Sequence, residues 1–461
     1  MNVGALSQEE KIKYLTTKPV PGLICQMSVP TIISMLVSSF YNMADTYFVG
    51  KIDTNSTAAV GVAFSIMALI QACGFFFGHG SGNYISRKLG AGEYEDANIM
   101  AANGFYSSFF AGILVSVLGL IFLEPLSLLL GATPDFLEST KQYLGIILVG
   151  APFMMSQFVL NNQLRFQGSA SFAMIGVVTG AVVNIVLDPI FIFLLHMGVA
   201  GAAVATVISQ IISFCILWKV SRRGGNIKVQ WKNFHPGFRA FQEIFRGGVP
   251  SLCRQGLGSL ATICLNRSAG MFAGDYTVQA IAAMSVVTRI TMFANSALIG
   301  FGQGFQPVCG MNYGAKKYER VSQGLWFCVK VAFVFLLAVS ALGFLFAKPL
   351  VTLFRKDDLD VIRIGTTALR FQCIAFPLNA WTVLCTMYLQ FIGKATKASI
   401  VSASRQGLFF LPLIWVLPYF FGLTGVQITQ MIADILSFVM SVPIGIGVLR
   451  EMKKMSEFKK N

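Results

Sequence analysis

The sequence is poor in charge. Only 12% of its 461 residues are Asp, Glu, Lys or Arg, against roughly 25% in a typical soluble domain. Acidic residues are the scarcer sign, with 20 Asp and Glu against 35 Lys and Arg. A globular protein of this length needs more polar surface than that to cover its core. The shortage argues against a soluble enzyme, and more strongly against a disordered or nucleic-acid-binding chain.

Several site patterns are also missing. The nine cysteines form no CxxC pair and most lie in apolar runs, so we expect neither a disulfide framework nor a zinc site. We find no catalytic triad, no cluster of Cys and His and no nucleotide loop, which argues against an enzyme, a resident metal or organic cofactor and direct use of ATP. The first 22 residues are polar and lack the apolar core of a cleavable signal. The first apolar segment should therefore stay as a membrane anchor.

Apolar sequence is abundant instead. The apolar residue types make up 55% of the chain, and the mean hydropathy is +0.68. A helix that spans a bilayer needs about 20 mostly apolar residues. Twelve such stretches can be marked, at about 24–48, 57–84, 98–123, 138–163, 170–195, 199–219, 247–270, 277–306, 322–346, 363–391, 397–420 and 424–449.

The two halves of the chain resemble each other. Five matches fall at offsets of 220–224 residues: 198–201 with 422–425, 213–214 with 437–438, 78–80 with 302–304, 90–95 with 314–319, and Pro30 with Pro250. Each half holds six segments, so both halves run in the same direction and form a parallel repeat with a cavity between them. We therefore predict an all-α polytopic membrane protein with twelve transmembrane helices in two six-helix, pseudo-symmetric lobes.

The segments and the charges between them predict the domain organisation. We expect a cytoplasmic N-terminal segment (1–23), an N-lobe (24–222), a basic cytoplasmic linker (223–245), a C-lobe (246–450) and a basic cytoplasmic tail (451–461). With the N-terminus in the cytoplasm, 23 Lys and Arg fall on the cytoplasmic side and 4 on the other. Because basic residues are enriched in cytoplasmic loops, this ratio predicts that both termini are cytoplasmic.

Three carboxylates lie inside predicted spans, where a charge is costly and a functional role is the first hypothesis. They are Asp45, Asp188 and Asp434. Tyr41 and Asn42 precede Asp45 by four and three residues, so they share its helix face. The alternative is that each aspartate only ties helices together through hydrogen bonds, and for Asp434 the two interpretations carry equal weight.

Asp188 lies in the most informative stretch. Asn184 is one helical turn before it, and Pro189 directly after it cannot donate a backbone hydrogen bond, so a carbonyl is left free. Carboxylate, amide, hydroxyl and carbonyl oxygens suit Na⁺. Burial away from water also favours the protonated carboxyl, so the same groups suit H⁺. We therefore expect the coupling site in the first half.

The second half has the opposite balance. Its predicted spans contain Asp434 as their carboxylate, against several basic residues: Arg254, Arg267, Arg289, Lys330, Arg370 and Arg405. Those near the membrane faces can extend towards water. Arg289 is predicted to lie deep, where it needs a partner or a wet cavity. His79 is a candidate proton carrier, but its repeat counterpart is Gln303, which favours a packing role.

The chain resembles the multidrug and toxic compound extrusion (MATE) family over nearly its full length. The resemblance rests on the two six-span halves and on five stretches: NMADTYFVG (42–50), SRKLGAGEYEDA (86–97), LRFQGSA (164–170), NIVLDPIFIF (184–193) and GVAGAAVAT (198–206). It implies a V-shaped secondary transporter that exports cationic or amphipathic compounds in exchange for Na⁺ or H⁺, generally as a monomer.

The resemblance also implies a coupling site in the first lobe. Its residues are Asp45, Asn161, Asn184, Asp188 and Thr206. Some family members use carboxylates in the seventh and tenth spans instead, but here those spans carry Arg254 with Gln255 and Arg370. This departure argues against a coupling site in the second lobe. For the substrate cavity we name Tyr41, Asn42, Asn162, Arg289 and Asp434.

The sequence as a whole predicts an ion-coupled exporter of small organic compounds in the cytoplasmic membrane. The main alternative is a flippase for lipid-linked precursors with a related architecture, whose anionic substrate would suit the arginines of the second half. A channel fits less well, because a two-half repeat around a cavity suits alternating access. A membrane enzyme fits least, for lack of a nucleophile and base.

Overall fold

The computed structural model describes residues 6–223, 227–354 and 358–458, and nearly all of them are helical. An N-terminal helix, Gln8–Thr17, begins at a capping box formed by Ser7 and Glu10. The segments that follow are numbered as spans in chain order. They are span 1 (Val20–Val49), span 2 (Thr54–Ala91), span 3 (Tyr94–Ile121), span 4 (Leu137–Phe166), span 5 (Ala170–Leu194), span 6 (Gly198–Ser221), span 7 (Phe238–Phe272), span 8 (Thr277–Gly314), span 9 (Tyr318–Leu345), span 10 (Leu359–Ala375 and Asn379–Phe391), span 11 (Ala395–Phe421) and span 12 (Leu423–Phe458).

The twelve predicted spans are confirmed as helical segments. Ten of the described helices are long and apolar enough to cross a membrane on those criteria alone. The other two segments depart for visible reasons. Span 7 carries several charged residues in its first turns, and span 10 is divided into two shorter helices by a 3₁₀ turn that contains Pro377. Span 7 starts inside the stretch predicted as the linker, and span 12 continues through most of the predicted tail.

The repeat is visible in the irregular elements as well as in the long helices. Short helices, Leu123–Leu129 and Ala347–Phe354, precede spans 4 and 10 at positions 224 residues apart. Spans 5 and 11 are each interrupted by a π-helical turn, at Ile190–Leu194 and Ser404–Leu408. Such turns are rare and are found frequently at functional sites. The helix breaks therefore direct attention to spans 5 and 11.

The two lobes pack against each other through glycines of spans 2 and 8. Gly80 of span 2 lies against the backbone of Ile244 in span 7, and Gly304 of span 8 lies against Ser28 in span 1. A Cβ atom at either glycine would collide with its neighbour, so only glycine permits this approach. The small residues around position 80 therefore allow close helix packing.

Spans 2 and 8 also cross each other where they end. Gly90 lies against the carbonyl of Met311, and its repeat counterpart Gly314 lies against the carbonyl of Arg87. These glycines belong to the matching stretches 90–95 and 314–319, so each lobe contributes the same close glycine–backbone contact. The lobes are therefore in close contact on the side of the molecule that carries both termini.

The N-terminal helix adds a further connection on that side. Lys11 Nζ donates to Ser169 Oγ (2.8 Å) between spans 4 and 5. Asn312 Nδ2 donates to the Leu15 carbonyl (3.0 Å), and Lys317 Nζ donates to the next carbonyl along the helix (2.9 Å). The two lobes are thereby bridged, because the first contact is in the N-lobe and the other two are in the C-lobe.

Candidate cation and substrate site

A polar cluster lies between spans 1, 5 and 6 of the N-lobe. Asp188 is completely buried, and Asn184 and Thr206 are each 1% exposed. Asn184 Nδ2 lies 3.3 Å from Asp188 Oδ1 and 3.4 Å from Thr206 Oγ1. Asp45 of span 1 is close enough to Asp188 for their charges to interact. The structure therefore brings together four of the five residues predicted for coupling.

The sequence around Asp188 explains why its side chain points into this cluster. Asn184 and Asp188 are four residues apart, so they lie on the same face of span 5. Pro189 removes one backbone donor, and the π-helical turn Ile190–Leu194 follows directly. The helix is thus irregular at the carboxylate, which leaves acceptor oxygens near it.

Three oxygens of the cluster are buried and have no hydrogen-bond partner in the described structure: Asp45 Oδ1, Asn184 Oδ1 and Asp188 Oδ2. Asn184 directs its amide donor at Asp188 and Thr206, so its oxygen remains free to accept. No Lys or Arg of the described residues forms an ion pair with either aspartate. Buried acceptors without donors are costly. A cation or a proton at this point would satisfy them.

Three more residues line the cluster. The Tyr41 side chain lies beside those of Thr206 and Gln210 and within interaction range of both aspartates. Tyr143 of span 4 is completely buried, and its hydroxyl also lies beside Thr206. Tyr41 was predicted for the substrate cavity, whereas Tyr143 and Gln210 were missed. Gln210 follows Thr206 by one helical turn, which is a signal that could have identified it, but nothing local singles out Tyr143.

Asn161, the fifth predicted coupling residue, lies elsewhere. Its Nδ2 donates to the carbonyl of Ala173 (3.0 Å), near the start of span 5. Ala173 precedes Asp188 by 15 residues, which is about 22 Å along a helix. The structure therefore does not bring Asn161 to the cluster. Its neighbour Asn162 is completely buried and accepts a hydrogen bond from Arg165 (2.5 Å).

Asp434 occupies a different environment in the C-lobe. Arg405 Nε (2.8 Å) and Gln430 Nε2 (2.7 Å) both donate to its Oδ1, and Asn379 Nδ2 donates to its Oδ2 (2.9 Å). The carboxylate is 3% exposed, and its charge is balanced by Arg405. The contacts join spans 10, 11 and 12, in agreement with the helix-tie interpretation of this residue.

Two more of the residues predicted for the substrate cavity lie on spans 1 and 8. The Arg289 side chain of span 8 is exposed, and its depth in the membrane stays a prediction. Asn42 is half-buried and donates to the Ser38 carbonyl in its own helix (2.9 Å).

The comparisons with known proteins agree with this architecture. The MatE family model, which describes the multidrug and toxic compound extrusion transporters, matches residues 30–190 and 256–416. The chain belongs to this family and is a multi-pass membrane protein. It is 30% identical over 430 residues to the multidrug export protein MepA of Staphylococcus haemolyticus strain JCSC1435, covering 93% of each chain.

Solved structures extend the likeness to three dimensions. The structure of a MATE transporter in complex with MaL6 has a TM-score of 0.90 and 28% identity, covering 96% of this chain and 99% of that chain. An outward-facing multidrug resistance MATE transporter has a TM-score of 0.89 and 28% identity, covering 95% and 98%. The two-lobe fold is shared over the whole length, and these relatives do not favour the flippase alternative.

Proposed function

We propose that this chain is a secondary antiporter that exports organic compounds across the cytoplasmic membrane, driven by inward flow of H⁺ or Na⁺. The observation that carries the proposal is the set of unpartnered acceptor oxygens on Asp45, Asn184 and Asp188. Asp188 is buried and Asp45 is half-buried, and neither has a basic partner among the described residues, so each can take up one positive charge. The multidrug export activity in the names of its relatives supports small organic molecules as substrates.

The lobes supply the alternating access. They pack tightly on the side of the termini, which the distribution of Lys and Arg predicts to be cytoplasmic, and we propose that the predicted cavity between them opens to the outside. Cations or protons from outside neutralise the carboxylates of Asp45 and Asp188, one positive charge for each. Span 1 contains Pro30 within its helix, and a proline there provides a point at which it can bend. Bending weakens the hold on the substrate, and the return to the inward-open state releases the ion to the cytoplasm.

The arrangement needs no other component. A single chain contains both lobes and the coupling site, so we propose that the monomer is the working unit. The ion is cargo rather than a resident cofactor, and the ion gradient supplies the energy in place of ATP. The same oxygen ligands suit H⁺ and Na⁺, and imposed gradients distinguish them.

The decisive experiment is dye export from vesicles with a pH gradient or a Na⁺ gradient imposed separately. We expect one gradient to drive export by the wild-type protein. Asp188→Asn and Asp45→Asn should reduce it to the level of protein-free vesicles, with expression intact. Asp275→Asn is the matched control, because Asp275 is an exposed carboxylate in the turn between spans 7 and 8. Gradient-driven export that survives both Asp45→Asn and Asp188→Asn would disprove the mechanism.

A further inference from the structure

A buried arginine bridges the two lobes near their line of contact. Arg165, at the end of span 4, is 1% exposed. Its Nη1 donates to Gln303 Oε1 of span 8 (2.6 Å), and its Nη2 lies 3.3 Å from His79 Nε2 of span 2 and 2.5 Å from Asn162 Oδ1. Its Nε is buried and has no partner in the described structure. The guanidinium is therefore surrounded by side-chain groups but has no carboxylate.

His79 does not balance that charge. Its Nδ1 lies 3.2 Å from the Phe75 carbonyl, and a carbonyl only accepts, so Nδ1 carries the hydrogen. Nε2 is then the acceptor for Arg165, and the ring is neutral. Gln303 and Asn162 are neutral amides. All three partners of Arg165 therefore leave its positive charge in place.

A second guanidinium lies close by. Arg254 of span 7 is near enough for its charge to act on both Arg165 and His79. It is half-buried, and it forms no hydrogen bond or ion pair within the parts of the chain that the structure describes. It follows Gly247 by seven residues, two helical turns, so both lie on one face of the helix. Gly247 contacts Gly80 of span 2, so Arg254 faces the N-lobe.

Two other arginines have a carboxylate partner. Arg87, at the contact of spans 2 and 7, lies 3.5 Å from Glu243, and Arg405, inside the C-lobe, lies 2.8 Å from Asp434. Arg165 and Arg254 instead repel each other, and burial of unpaired charge is costly. Hydrogen bonding between the lobes gives Arg165 a structural role through Gln303, but it gives Arg254 none. An anion that binds between the two guanidinium groups explains why Arg165 and Arg254 both lie here without a carboxylate partner.

We propose that Arg165 and Arg254 form a binding site, near the contact of spans 2 and 7 between the lobes, for the anionic group of a transported compound. The ligand is an organic amphiphile that carries a carboxylate, sulfonate or phosphate. Arg254 is the accessible contact, because it is half-buried and lies about two helical turns from the Gly80–Gly247 contact towards the far side of the molecule. Arg165 is more deeply buried than Arg254. It contributes a positive electrostatic potential and an Nε–H group that has no partner in the described structure. This inference rests on the proposed export function and narrows its substrate class.

The test compares two dyes that differ in one charge. Rhodamine 19 carries a free carboxylate, and rhodamine 6G is its ethyl ester. Binding of each dye to the purified full-length protein is measured by fluorescence anisotropy in detergent, without an ion gradient. We expect the wild-type protein to bind rhodamine 19 more tightly. Arg254→Gln should weaken rhodamine 19 binding by about tenfold, the scale of one charge-assisted hydrogen bond, and leave rhodamine 6G binding unchanged or tighter.

Two further variants complete the test. Arg254→Lys keeps the charge and should retain most of the preference for rhodamine 19. Arg450→Gln removes an exposed arginine near the end of span 12, away from the two arginines, and should change neither affinity. The proposal is overturned if the wild-type protein prefers the ester, or if Arg254→Gln affects the two dyes equally. Because no gradient is involved, a failure of ion coupling would leave this result intact, and the two failures are distinguishable.

Discussion

The N-lobe and the C-lobe place polar clusters at related positions of the repeat but treat their charge differently. At the 224-residue offset that aligns spans 6 and 12, Thr206 and Gln210 correspond to Gln430 and Asp434. In the C-lobe, Asp434 receives an arginine and two amide donors. In the N-lobe, Asp188 receives one amide donor, from Asn184, and Asp45 Oδ1 has no hydrogen-bond partner in the described structure. The same site in the fold is thus neutralised in one lobe and left open to a cation in the other.

This difference teaches that burial of a carboxylate in a span does not by itself indicate function. All three aspartates are carboxylates in apolar helices, and the sequence treats them alike. What separates them is the partner across the helix packing, which is Arg405 for one aspartate and no basic residue of the described chain for the others. Two variants at these clusters test that separation, and a third variant tests the buried lysine of the N-terminal helix; the expected effects decrease in that order.

The first prediction makes the N-lobe resemble the C-lobe. Gln210→Arg introduces a guanidinium next to Tyr41 and within the cluster that contains both aspartates. The new guanidinium should occupy the place of the transported ion. Gradient-driven export should therefore fall to background while the protein still folds. Gln210→Met is the matched control, since it keeps the length of the side chain without charge, and it should retain much of the export. Equal export by the two variants would show that the unpaired carboxylates of the N-lobe do not couple the ion to export.

The second prediction makes the C-lobe resemble the N-lobe. Arg405→Leu leaves Asp434 buried without its cation, and breaking a buried pair costs about 3–5 kcal/mol. We expect a marked drop in the thermal unfolding temperature of the purified protein. Asp188→Asn removes a charge that has no ion-pair partner and should leave that temperature unchanged or higher. If Asp188→Asn destabilises the protein as much as Arg405→Leu does, both clusters serve to stabilise the fold.

The third prediction concerns the N-terminal helix, whose N-lobe contact is a buried lysine. Burial lowers the pKa of Lys11 to about 8 from its usual 10.5. Between these values the folded protein holds fewer protons than the unfolded chain, so its stability should rise as the pH increases from 8 to 10.5. Below pH 8 the full cost of the buried charge is present. The unfolding temperature of Lys11→Met, measured against wild type across this range, should lack this rise. A parallel pH profile would contradict it.

Much of the fold could be predicted from the sequence because bilayer-spanning helices follow directly from hydropathy. The twelve spans and the two-lobe architecture are confirmed. The cluster of Asp45, Asn184, Asp188 and Thr206 was also predictable in composition, because the spacing of Asn184 and Asp188 sets a common face and the resemblance to the family supplied Thr206.

The rest depended on packing that one sequence does not encode locally. Asn161 and Asn162 are adjacent, and neighbouring side chains on a helix point about 100° apart. One of them bonds span 5 and the other bonds Arg165, and residue type alone cannot separate these roles. Tyr143 reaches the cluster from span 4 without any motif of its own. Arg165 lies two residues beyond the predicted span 138–163, yet its side chain is buried between the lobes.

The central claim is that the N-lobe carboxylates, and not Asp434, couple the ion to export. Arg405→Leu combined with Asp434→Leu removes the C-lobe pair together and so leaves no buried charge unpaired. Dye export by this double variant in vesicles, with the driving gradient imposed and then abolished, tests the claim most directly. The account predicts that export persists and still requires the gradient. Export that proceeds in this folded variant at the same rate with and without the gradient would contradict it.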